Sequence, residues 1–411
     1  MRRVAWGLLL AFAFAVPWEY SLDLGPPLGN VARILGLVLL LAVVPALLQA
    51  GRPRTPGLMQ WLVLAFFVWI CCTYFWTIDQ AVTLARMRGF FQELMVVWLV
   101  CEFAESAADL RWLLRAYVAG SWVLAMLTLA NFSSPEAIVA GQMRFAAAGQ
   151  DPNDVARFLN LGLPLAALLF GGERRWAGRV LALGYLPLGL FAVLLTASRS
   201  GFLVAVVALA GCGVLLFRGY PRAVAGGVLA LPAVAAAVWL AIPEAIFARL
   251  ATIPAQLAGG DLNQRWNLWF AGWHAFVRAP LLGTGAGTFV SAAGTAAIDT
   301  AHNSALSLVV EGGLVALFLA MAITVAAFWL AMQTRGALRL ALMTALLVWF
   351  ITSLTATVEE SRTTWLLMGL VALAACLHEE TPGSLTACFA EGEGAAQAAQ
   401  PDWLPETPRG A

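Results

Sequence analysis

Apolar runs recur from one end of this sequence to the other, near 4–17, 31–49, 58–76, 88–103, 112–130, 154–170, 179–195, 202–217, 222–241, 303–330, 337–354 and 363–378. A helix needs about 20 apolar residues to cross a hydrocarbon core of about 30 Å, and only a structure that satisfies its own backbone can sit there. Charged residues are 11% of the chain, against about 25% in soluble domains. A large soluble fold could not make its surface from this composition. The expected fold class is an all-α polytopic membrane protein of about 12 transmembrane helices. The first run resembles a signal peptide, but it lacks a small-x-small cleavage site. Pro17-Trp18 reads as a helix leaving the membrane at an aromatic belt, so a retained first helix is expected.

The placement of charge gives an orientation. All 24 basic residues are arginine. With the N-terminus in the cytoplasm, Arg2, Arg3, Arg52, Arg54, Arg111, Arg174, Arg175, Arg179, Arg218, Arg222, Arg335 and Arg339 fall inside. The short outside connections are poorer in arginine. Both termini are therefore expected in the cytoplasm. A net charge of +1 gives no footprint for nucleic acid. The six cysteines form no CxxC pair, so neither a zinc site nor a disulfide framework is indicated.

Two outside segments are long, about 131–153 and 242–302. The second contains NQRWNLWFAGWHAFV, with Trp266, Trp269, Phe270, Trp273, Phe276 and Val277 at helical spacing, which suits a helix lying at the interface. The fragment GTGAGTF at 283–289 follows no predicted strand and reads as a flexible turn rather than a phosphate loop. Residues 1–379 read as one transmembrane domain that includes the 242–302 loop. Residues 380–411 read as a disordered cytoplasmic tail.

Polar groups gathered on one side of so apolar a chain are the functional candidates. Arg144, Arg199, Arg265 and His302 all fall outside. Arginine binds phosphate through a planar, multi-donor fork, and preorganised cations stabilise a departing diphosphate. A histidine, with a reference pKa of about 6.5, can take a proton from an attacking hydroxyl. The outer acidic residues form no evident metal cluster, so a metal-independent transfer without a cofactor needs the fewest assumptions. Each of these residues also has a plainer reading: an arginine near a helix end can be a topology determinant or a headgroup anchor, and a lone histidine can be a cap. Residue chemistry alone leaves both open.

Four fragments narrow the choice: Arg144 followed by DPNDVARFLNLGLPLA, then TASRSGFLVA, then Arg265 through PLLGTGAGTF, then AHNSALSLVVEGGLVAL. In that order, from about 141 to 320, they resemble the O-antigen ligase/polymerase superfamily of bacterial membrane glycosyltransferases, and most nearly its lipopolysaccharide O-antigen ligases. The resemblance implies transfer of O-antigen from undecaprenyl diphosphate to a sugar hydroxyl of lipid A–core at the periplasmic face, with inversion. It implies Arg199 and Arg265 as diphosphate binders and His302 as the base. Arg144, Asp151 and Asn153 match a recurrent segment, and these three, with Asn303 and Glu311 of the histidine motif, are expected to bind substrate. The implied partners are the lipid-linked donor, the lipid A–core acceptor and membrane lipids. An O-antigen polymerase, a protein O-oligosaccharyltransferase and, in a different class, a lipid-linked glycan transporter are the alternatives.

Overall fold

The computed structural model describes residues 2–25, 29–50, 53–134, 136–137, 141, 143–173, 175–260, 265–295, 300–380, 385 and 388–389. The tail expected over 380–411 lies almost wholly outside the described residues. The regular elements among the described residues are helices: α1 Arg2–Ala15, α2 Val31–Ala50, α3 Leu58–Cys72, α4 Gln80–Phe103, α5 Ala107–Phe132, α6 Pro152–Gly172, α7 Trp176–Leu195 and α8 Arg199–Gly219 come first. They are followed by α9 Pro221–Ala241, α10 Glu244–Ala251, α11 Ile253–Leu257, α12 Arg265–Arg278, α13 Phe289–Ala293, α14 Ser304–Gln333, α15 Gly336–Ser353 and α16 Arg362–Glu380. A helix occupies each of the twelve apolar runs. Among the described residues, 9 helices are long and apolar enough by themselves to cross a membrane, or 10 if the pair bent by 112° after Ala241 is one span. The protein is thus an all-α polytopic membrane protein. α4 starts eight residues earlier than its apolar run: Asp79 caps it by accepting from the Val82 amide, and the polar turn with Arg86 and Arg88 continues as helix, with Arg86 paired to Glu360.

α6 lies at the centre, against α5, α7, α8 and α15, with 78% of its spanning window buried. Its Pro164 removes one rung of the helical ladder. Just upstream, the buried hydroxyls of Tyr117 and Tyr185 donate to the carbonyls of Phe158 and Leu159 at 3.1 and 2.8 Å. Asn160, fully buried on the same helix, donates to the Gly201 carbonyl at 2.8 Å and pins the start of α8. α1 packs against α2 and α5, with Ala5, Leu9 and Phe12 in the core.

α14 is not the single straight helix that its apolar run predicts. Gly313 has φ 68° and ψ −167°, and the helix breaks there. The segment 280–289 crosses the break and completes its hydrogen bonding. The amides of Thr284 and Gly285 donate to the carbonyls of Val310 and Glu311, both at 2.9 Å, and the Leu314 amide donates to the Pro280 carbonyl at 2.9 Å. The Trp69 indole donates to the Gly312 carbonyl at 2.8 Å. Inside an apolar bundle each of these bonds left unmade would cost several kcal/mol, so the break exists only together with the strap that fills it.

The same contacts overturn the expectation of a flexible turn at 283–289. Gly285 has φ 112°, and a Cβ there would come within 1.9 Å of the Thr77 hydroxyl. Only glycine fits so close an approach. Thr73 and Thr83 hold Ala286 from the other side, at 3.2 and 2.9 Å. The strap is clamped by α3, α4 and α14.

Candidate active site

The site is built around two tight connections. Ala197, between α7 and α8, has φ 48°, and His302, just before α14, has φ 46°. They are the two non-glycine residues in the left-handed region among the described residues. That conformation persists for a side-chain-bearing residue only where its surroundings over-determine it.

The first connection holds arginines. Ser198 caps α8 by accepting from the Gly201 amide at 3.1 Å, which leaves Arg199 as the first helical residue. Asp151 caps α6, accepting from the Asn153 amide at 2.7 Å. The Asn153 side-chain oxygen accepts from both the Arg144 guanidinium at 3.0 Å and the Ser198 hydroxyl at 2.8 Å. Arg144 also donates to the Thr196 carbonyl at 3.2 Å, and Arg249 donates to the Ala197 carbonyl at 3.1 Å. The carbonyls of one turn thereby orient two guanidinium groups beside the start of α8, where helix N-terminal amides add positive potential.

Electrostatics records how close the cations are. Burial, and then the charges of Arg249, Arg265 and Arg199, push the Arg144 guanidinium below the ordinary arginine range, with Asp151 opposing. Burial also lowers Arg265, and Asp151 partly offsets it. Arg144 thus lies within electrostatic reach of three other guanidinium groups, with one exposed carboxylate beside it, and an anion would relieve their repulsion.

The second connection holds the histidine. The Trp269 indole of α12 donates to the Ala301 carbonyl at 3.0 Å. Asn303 caps α14 by accepting from the Leu306 amide at 2.9 Å and donates to the Leu354 carbonyl at 3.2 Å. His302 is therefore fixed from both flanks. Arg265 lies four residues before Trp269 on α12 and so shares its face. α12 reaches toward Asp151 with Arg265 and docks beside His302 with Trp269. The rest of α12 is amphipathic as expected: Trp266, Phe270, Trp273 and Val277 are more than half exposed, while Gly272 and Ala275 pack inward.

The structure thus gathers Arg144, Asp151, Asn153, Arg199 and Arg265 into one cluster, and α12 joins it to His302 and Asn303. The side chains of Asn153 and Asn303 are engaged in holding their neighbours. Glu311 is engaged too. Its carboxylate accepts from the amides of Gly287 and Phe289 at 2.6 and 3.3 Å, so it clamps the strap.

Other charged residues have no sequence signal of comparable strength. Arg249 sits in EAIFARLA, a segment that reads only as a short amphipathic helix. The VEESR run at 358–362 looks like a charged surface connection, yet the structure folds it inward. Glu360 pairs with Arg86 at 2.5 Å, and Arg362 with the fully buried Glu19 at 2.5 Å. Arg157 pairs with Asp154 at 3.4 Å and donates to the Thr357 carbonyl at 3.3 Å. Among the described residues no group of three or more His, Cys, Asp or Glu is placed to hold a metal ion.

No curated protein matches the chain. A family model described as O-antigen ligase matches residues 184–321, from within α7 to the inner half of α14. Over those residues, which hold the arginine turn, the aromatic helix and the histidine connection, the chain is similar to the O-antigen ligase family.

Proposed function

We propose that this protein is an O-antigen ligase, transferring a glycan from undecaprenyl diphosphate to a sugar hydroxyl of lipid A–core. The observation that carries the reading is the convergence of Arg144, Arg199, Arg249 and Arg265 on the turn at the start of α8, joined through α12 to His302. The donor's diphosphate sits among the guanidinium groups, with Arg199 and Arg265 as its principal contacts. His302 takes the proton from the acceptor hydroxyl as that oxygen attacks the anomeric carbon. A new C–O bond forms, the bond from that carbon to the diphosphate oxygen breaks, and the diphosphate leaves with the electron pair. Attack from the face opposite the leaving group inverts the anomeric centre. The departing charge is met by cations already in place, which is where such sites gain most of their rate. No metal ion is needed in this scheme.

The arginine distribution supports an orientation with both termini in the cytoplasm of a bacterial inner membrane and the site facing the periplasm. The test is transfer by the purified protein in nanodiscs, with undecaprenyl-diphosphate-linked O-antigen and lipid A–core, in EDTA and without nucleotide. A gel shift of lipid A–core supports the ligase. Lengthening of the donor glycan with unmodified lipid A–core identifies a polymerase instead. Glycosylation of a supplied peptide identifies a protein oligosaccharyltransferase. Failure of all three, with movement of the donor across a vesicle membrane, leaves the transporter.

A further inference from the structure

Between α14, α15 and α16 lies a cavity of about 360 Å³, within the range of roughly 300–1,000 Å³ that holds one small ligand. It begins at Ser304, two residues after His302, and runs along α14 past the break to Thr324. Its walls are apolar, among them Leu308, Ala320, Trp349 and Trp365. Met321, Phe350 and Leu354 at its rim are exposed on the lipid-facing side of the bundle. A hydrocarbon chain can therefore enter sideways from the bilayer.

One polar group does not suit a merely greasy groove. Glu359 lines the outer end, is only 7% exposed, and neither of its carboxylate oxygens has a hydrogen-bond partner among the described residues. The hydroxyls of Ser304 and Ser307 lie beside the carboxyl and temper its rise, yet neither makes a well-formed hydrogen bond to it. Ser304 instead donates to the Ala356 carbonyl at 3.1 Å and accepts from the Val358 amide at 2.9 Å. Burial and the neighbouring Glu360 push the Glu359 carboxyl up to about 7. A buried carboxyl in this position calls for a hydrogen-bond donor. Ionised, it repels a phosphate, and the isoprenoid chain of the donor lipid carries no N–H or O–H to offer in either state.

From this complementarity we infer that the groove seats an acyl chain of the acceptor glycolipid, with an amide N–H or chain hydroxyl donating to Glu359. This inference rests on the proposed ligase reading. It gives the two lipid substrates separate berths, the donor diphosphate on the arginine turn and the acceptor chain between α14, α15 and α16. His302 stands at the junction.

The test is equilibrium binding by native mass spectrometry, which needs no transfer and so stands apart from the activity assay. The probes are lipid A, whose chains carry amides and hydroxyls, undecaprenyl diphosphate, and phosphatidylethanolamine. Ala320→Trp fills the groove, and Glu359→Leu removes the acceptor atoms at similar volume. Each is expected to weaken lipid A binding by about tenfold or more, the worth of one hydrogen bond to a carboxyl group or of the lost space. Undecaprenyl diphosphate retention is expected to stay unchanged, which also shows that the variants are folded. Arg199→Ala is expected to give the reverse pattern. The inference is overturned if the two groove variants lose undecaprenyl diphosphate instead, if phosphatidylethanolamine is lost equally with lipid A, or if lipid A binding does not change. Lipid A loss in a protein that shows no transfer would leave the groove standing and sink the ligase reading.

Discussion

Arg144 and Asn153 are joined by a 3.0 Å hydrogen bond, and the oxygen that makes it also accepts the Ser198 hydroxyl at 2.8 Å. One amide oxygen thus sets both a cation and the cap of the helix that begins with Arg199. Asn153→Ala is expected to weaken donor binding by about tenfold, the cost of one charged hydrogen bond and a loosened cap. Asn153→Asp keeps the acceptor oxygen and is expected to lose less. Titration with undecaprenyl diphosphate checks the order, and equal losses in the two variants would contradict it.

Arg249 is expected to matter as much as the arginines that the motifs single out. It holds the Ala197 carbonyl through its Nε and lies within electrostatic reach of Arg144 and Arg199. Arg249→Ala should reduce donor affinity by about tenfold or more. Lysine, lacking the rigid fork, should restore less than half of the lost binding energy. Full rescue by lysine would mean that charge alone is used.

His302→Ala is expected to lower transfer by about 10²- to 10⁴-fold, the usual range for a positioned base. Donor binding should persist, because the cations belong to a different connection. Loss of donor binding in the folded variant would assign the histidine to the diphosphate instead.

Gly285→Ala is expected to destabilise the protein by roughly 2–4 kcal/mol, since the new methyl group meets Thr77 and the backbone stays at positive φ. The readout is the midpoint of thermal unfolding in detergent, and an unchanged midpoint would show that the strap yields. Transfer should fall with it, because the strap and α14 share their hydrogen bonds.

Glu359 makes stability depend on pH. Its folded value of about 7 lies above the ordinary glutamate value of about 4.3, so the folded state holds the extra proton between those limits. Stability is therefore expected to be greatest at the acid end of that window, to fall as pH rises toward 7, and to level off above it. Glu359→Gln should flatten this part of the profile. A wild-type midpoint that rises between pH 5 and 7, and does so less in the glutamine variant, would reverse the sign.

The twelve long helices were legible because length and apolarity are local properties. The arginine turn was partly legible as well: TASRSG is too short a connection for Arg199 to wander. The strap was not. Three glycines in seven residues read as freedom, and what removes that freedom comes from Thr73, Thr77, Thr83 and Glu311, far away in the sequence. Glu359 was hidden for a similar reason. A carboxylate in a short connection reads as solvated until the chain around it is seen to fold back onto Ser304.

The break at Gly313 has a mechanical consequence. Bilayers differ in thickness, and long helices answer by tilting. A continuous α14 would act as a lever and swing His302 across the site with every change of tilt. Here the outer turns are fastened to the strap and to the 354–358 connection, while the inner turns run on through the lipid. The hydrogen bonds that would transmit bending are replaced by bonds to a neighbouring segment, so the break works as a joint. The end of the helix beside His302 can keep its register while the rest of it follows the membrane.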